Sequence, residues 1–97
     1  MTDQQGYVIR IYAANNSAEM QELIKVLVDT LKAKYPAGGN IELIDVLEHP
    51  ERATEENIFA TPSVVKEFPE PARRILGTVN DPKEILLLLG LFAASEP

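Results

Sequence analysis

The chain of 97 residues has no cysteine and no tryptophan, and it has one histidine. The missing cysteine removes disulfides, thiolate nucleophiles, cysteine-type zinc sites and Cys-x-x-Cys redox chemistry together. A single histidine leaves little material for a metal site or a Ser-His-Asp triad. Basic residues are in deficit, 9 against 15 acids, for a formal charge of −6. That balance argues against nucleic acid as a partner, because non-specific binding needs a basic surface facing phosphate. Long apolar runs are scarce as well. The longest, Ile85 to Ala94, is about half of a membrane span, so no membrane role is expected. The first residues, MTDQQG, lack the charged-then-apolar pattern of a secretory signal. The expectation is one acidic, soluble, cytoplasmic domain covering residues 1–97, with an ordered core over about 6–94 and neither cofactor nor metal.

What is present is an alternation of strand and helix patterns. Tyr7 to Tyr12 is β-branched and aromatic, with Tyr7, Ile9 and Ile11 on one face of a strand. Apolar residues beside Arg10 on the other face mark the strand as central. Asn16 and Glu19 have capping-box spacing, with Ser17 as a competing cap. Met20, Leu23, Ile24, Leu27 and Leu31 then recur at helical spacing, and the helix is expected over about 17–34. Ile41 to Leu47 is a second strand. A strand, a long helix and a strand predict parallel strands with a right-handed crossover. A short polar helix is expected over 51–57. Pro62 should stand at the start of a third strand, since a proline inside it would remove a ladder donor. Arg73 to Gly77 should pair with Val64-Val65 as a hairpin. Asp81-Pro82-Lys83-Glu84 is a helix start, with Asp81 as cap and Pro82 at the first helical position. The run from Ile85 to Phe92 is apolar at nearly every position, so it is expected to be buried all round or to dock a second chain.

The order β-α-β-α-β-β-α is an α/β layout similar to thioredoxin, with Thr61-Pro62-Ser63 where such folds carry a cis-proline. The redox site would fall at Ala13 to Asn16, where no cysteine stands. From about Tyr7 to Phe92 the chain resembles the KaiB family. The resemblance is carried by Ile9-Arg10-Ile11-Tyr12, Leu43-Ile44-Asp45-Val46-Leu47, Ala60-Thr61-Pro62-Ser63 and Pro69-Glu70-Pro71-Ala72-Arg73-Arg74-Ile75-Leu76-Gly77. It implies a non-enzymatic clock or regulatory protein that binds KaiC, a hexameric ATPase and autokinase, and modulates its phosphorylation state. It also implies a metamorphic chain with an alternative ground-state fold, and a homo-oligomer, dimer or tetramer. A related domain is the sensor region of a histidine kinase. Glu22, Glu42 and Asn57 stand where the cyanobacterial pattern would be basic, which argues against KaiA as a partner. Leu88 replaces a glycine, which predicts a longer unbroken final helix.

Candidate partner-binding residues are Lys66, Arg73 and Arg74, a basic group in an acidic chain. Neighbours on a strand point to opposite faces, so one arginine should lie outside while the other pairs with a carboxylate or meets a partner. Pro62, Pro69 and Pro71 are candidate switch positions, because X-Pro bonds have a low-lying cis form. His49 is assigned to a turn and Asp45 to a structural role. The competing functions are a small-ligand binder of the glutathione-transferase type, with Ser17 the only hydroxyl near the loop after the first strand, and a sensor-type domain acting with a histidine kinase.

Overall fold

The computed structural model describes residues 6–15, 17–77 and 81–91. Four strands, β1 (Val8–Ala13), β2 (Asn40–Asp45), β3 (Ser63–Phe68) and β4 (Arg73–Leu76), form one sheet in the order β2-β1-β3-β4. β2 runs parallel to β1, and β3 and β4 run antiparallel to their neighbours. The parallel pair is joined by helix α1 (Ala18–Leu31), the crossover that the sequence predicts. Helix α2 (Pro50–Glu55) links β2 to β3, and α3 (Pro82–Leu88) follows β4. This is the expected α/β arrangement.

The pleat sorts the side chains into two faces. One face buries Ile9, Ile11, Val64 and Ile75 against Leu23, Leu27 and Leu31 of α1 and against Ile85, Leu86 and Leu89 at α3. Tyr7 closes one end of this core, edge-on to Tyr35 at 5.5 Å between ring centroids. Gly39 is required there, because a Cβ would fall 2.5 Å from the Tyr7 ring. The other face holds a smaller cluster of Tyr12, Ile44 and Val65, with Val46 and Ile58 at its margin.

Element ends differ from the expected ones for local reasons. Ser17 caps α1, its hydroxyl oxygen accepting the Met20 N–H at 3.2 Å, while Asn16 lies outside the described residues. The helix stops at Leu31, short of the expected residue 34, and passes into turns before Pro36. β2 stops at Asp45 and not at Leu47, because the Asp45 carboxylate accepts the Leu47 N–H at 2.9 Å and turns the chain. Leu47 is left exposed. α2 begins with Pro50 at its first position and gives way to Asn57, whose φ of 58° is tolerated by asparagine. β3 begins at Ser63, directly after Pro62, as expected.

The last helix is neither long nor buried all round. α3 spans seven residues and leaves Leu87 and Leu88 partly exposed. It ends in a Schellman turn, with Leu91 N–H donating to the Leu86 carbonyl and Gly90 N–H to the Leu87 carbonyl. Gly90 takes φ +78° there. Glycine at 90 therefore stops the helix, whatever residue stands at 88.

Candidate functional site

Cross-strand register explains where the candidate residues go. One row of the sheet reads Ile41, Ile9, Lys66 and Arg73, from β2 through β1 and β3 to β4. The next row on that face is wholly apolar: Leu43, Ile11, Val64 and Ile75. Lys66 is thus two residues beyond Val64 on the face that α1 and α3 cover. It is only 1% exposed. Burial pushes its pKa down first, and Arg73 and Lys34 push it down further. No hydrogen bond or ion pair holds Lys66 or Arg73 among the described residues. Arg73 is exposed at the sheet edge, opposite Lys66. Lys34 approaches from the end of α1, donating to the Leu91 carbonyl and lying over the Tyr35 ring.

Arg74 points to the opposite face. Its guanidinium donates to the Glu56 carboxylate and to the Glu56 backbone carbonyl, both at 2.9 Å. Its row is Glu42, Arg10, Val65 and Arg74. Arg10 pairs with Glu67 at 2.8 Å and approaches Glu42 at 3.8 Å, and Arg52 of α2 makes a two-pronged contact with Glu42. Hydrogen bonds to the arginines hold both carboxyls below their ordinary range. Glu67 stands at the register shift between β1 and β3. The structure therefore does not gather the three basic candidates into one patch. Lys66 and Arg73 share one face with Lys34, and Arg74 lies on the other within an alternating ion-pair network. Lys34 and Arg10 were not singled out in the sequence. The signal for Arg10 was its position between Glu42 and Val65 in register, which no single segment displays.

The three candidate prolines follow cis peptide bonds, Thr61-Pro62, Phe68-Pro69 and Glu70-Pro71. Thr61 and Pro62 line a groove with Ala13, Ala14, Asn15, Ser17 and Met20, at the place where the layout would carry a redox site. The Ser17 oxygen is occupied by its capping bond, and the buried Ser63 hydroxyl donates to the Ala60 carbonyl. His49 precedes α2, and Asp45 acts through its turn. Among the described residues no three of His, Cys, Asp and Glu converge as a metal site would require, and no helix is long and apolar enough to cross a membrane.

Comparison with known proteins agrees with this architecture. In structure the chain is similar to the N-terminal domain of SasA from Synechococcus elongatus, with a TM-score of 0.68 at 14% identity, over 99% of this chain and 94% of that one. It is also similar to the thioredoxin Deadhead from Drosophila melanogaster, with a TM-score of 0.61 at 16% identity, over 90% of this chain and 81% of the other. These likenesses establish a thioredoxin-like fold. In sequence the chain is 36% identical to the circadian clock protein KaiB3 of Synechocystis, over 92% of this chain and 87% of that protein. It is 34% identical to the circadian clock oscillator protein KaiB of Prochlorococcus marinus, over 94% of this chain and 76% of the relative. The KaiB domain family model matches residues 10–91, which takes in most of β1, the other three strands, the cis-proline turn and the Schellman turn. A thioredoxin-like sheet without a thiol, matched over nearly its whole length, belongs to the KaiB family of circadian clock proteins.

Proposed function

We propose that this chain is a non-enzymatic regulator that binds a KaiC-type hexameric ATPase and autokinase and modulates its phosphorylation state. Family membership over residues 10–91 is the observation that carries this reading. The local chemistry agrees with it. The groove at the usual redox position offers no thiol, and the hydroxyls of Ser17 at its wall and Ser63 beside it are engaged in backbone contacts. What the surface offers instead is charge and shape. β4 is an edge strand that presents Arg73 and Arg74 on its two sides.

The binding contribution is assigned first to Arg74. Its side chain is 38% exposed, so the Glu56 contact leaves part of the guanidinium open to a partner's carboxylate. Truncating a buried interfacial charge pair costs about 2–5 kcal/mol, and a rim pair far less. Arg74→Glu is expected to weaken binding of the KaiC homologue from the same genome at least about tenfold in calorimetry, or roughly 1.4 kcal/mol. Glu56→Gln removes the charge from this pair while the bond to the backbone carbonyl stays, and it should leave that affinity within about twofold, which is roughly 0.4 kcal/mol. If both variants bind like the wild type, Arg74 is only a structural ion-pair partner. If the wild type itself shows no heat of binding to the hexamer, the functional reading fails.

A further inference from the structure

Three features lie apart from the ion-pair network of Arg74: the groove at Thr61-Pro62, the partly exposed leucines of α3, and the cations at the α3 terminus. The groove brings together no charged or buried polar side chain that would select a ligand, and nothing shows what would cover the leucines. Gly90 lacks a Cβ, and the point where one would project has three nearest heavy atoms from elsewhere in the fold: Lys66 Nζ at 3.7 Å, Arg73 Cζ at 3.8 Å and Arg73 Nε at 3.9 Å. All three belong to cations, and both side chains lack a partner among the described residues. Lys66 is buried, whereas Gly90 and Arg73 are exposed, so an ion arriving from solvent would meet Arg73 and the Gly90 backbone with the lysine charge behind them. Lys34 adds a third positive charge, though its ammonium is engaged by the Leu91 carbonyl.

The bland explanation is that cations gather at the negative end of α3. A full helix terminus supplies about half an elementary charge. Two unit charges with no partner among the described residues exceed that, so the terminus alone leaves the cluster positive. The net charge of −6 opposes an incoming anion only weakly. Distant exposed charges are screened over about 10 Å at 0.1 M salt, whereas the buried charge of Lys66 is screened far less.

From this juxtaposition we infer an oxyanion site formed by Lys66, Arg73 and the open side of Gly90, fitted to a phosphate-class dianion. Two cations that have no side-chain partner among the described residues match two negative charges. The planar guanidinium fork suits two oxygens of one phosphate, and the lysine supplies a point charge behind it. The inference is independent of the KaiC reading, since it concerns a small ion and the isolated chain.

The test is a titration of the isotopically labelled chain with inorganic phosphate at constant ionic strength in a chloride background. Amide resonances are followed by NMR, with O-phosphoserine as a parallel probe. Saturable shifts confined to Arg73, Gly90, Leu91 and their neighbours are expected, and chloride should not reproduce them. Arg73→Gln, an exposed position whose loss should not unfold the chain, is expected to weaken the affinity at least tenfold, as is Lys66→Met. Response to both probes assigns the site to a phosphate ester as well as the free ion, and response to phosphate alone assigns it to the free ion. The inference is overturned if neither probe gives saturable shifts, or if Arg73→Gln binds as the wild type does. Should Lys66→Met fail to fold, the Arg73 variant decides alone.

Discussion

Lys66 is held in the interior by register, with no side-chain partner among the described residues. Its position opposite Ile9 commits it to the covered face, and only Arg73 stands beyond it in the row. An unpartnered buried polar group costs about 1–3 kcal/mol. Methionine has nearly the same length and no charge, so Lys66→Met should raise stability by about that amount in the absence of bound anion. For a domain of this size each kcal/mol moves the melting temperature by about 4–8 °C, a shift that calorimetric scans resolve. The pH dependence has a definite sign. Because the folded-state pKa of Lys66 is depressed by burial, then by Arg73 and Lys34, the unfolded chain binds more protons than the folded one between that value and the ordinary lysine range. Stability therefore rises with pH across that window. Tyr7 and Tyr12 act oppositely and higher up: burial raises both, so their contribution is lost as pH climbs past the ordinary tyrosine value. Denaturant melts of wild type and Lys66→Met over an alkaline series cancel the tyrosines and leave the lysine slope. Parallel pH profiles for the two proteins would refute the assignment.

At the scale of elements, the turn after α3 makes the sharpest prediction. Gly90→Ala places a side chain at φ +78° and should destabilise by about 1–2 kcal/mol, the cost of left-handed backbone for an L-residue. A melt within about 0.3 kcal/mol of wild type would mean that the turn relaxes without loss. The βαβ unit was legible in the sequence because its strands alternate and its helix repeats every three to four residues. Pro62 was legible as a strand start, because proline cannot donate within a ladder. The length of α3 was not. Its apolar run continues through Gly90, and the hydrogen bonds from Leu91 and Gly90 that end the helix have no hydropathy signature. β2 ends early for a similar reason, the Asp45 side chain competing for the backbone. Burial of Lys66 was half legible: period 2 from Val64 puts it on the core face, but charge reads as surface until pairing with β4 is known. The separation of Arg73 from Arg74 followed from alternation alone. Which of the two would meet a carboxylate depended on where Glu56 of the α2 turn came to rest.

The whole molecule leaves several large apolar residues uncovered, with Phe59 85% exposed and Leu47, Leu76, Leu87 and Leu88 also in contact with solvent. So much exposed apolar surface on a chain of 97 residues favours association. Light scattering across a concentration series is expected to show a dimer or tetramer, and Leu87→Glu with Leu88→Glu should shift it toward monomer. A monomer at every concentration would confine those leucines to another role. The central claim, that this family member acts on the phosphorylation of a KaiC-type partner, is tested most directly by one time course. The partner is incubated with ATP, with and without a saturating amount of the chain, and its phosphorylated fraction is followed. The account predicts that the chain changes the course, and that Arg74→Glu at the same concentration changes it less. Superimposable curves with and without the wild-type chain would contradict it.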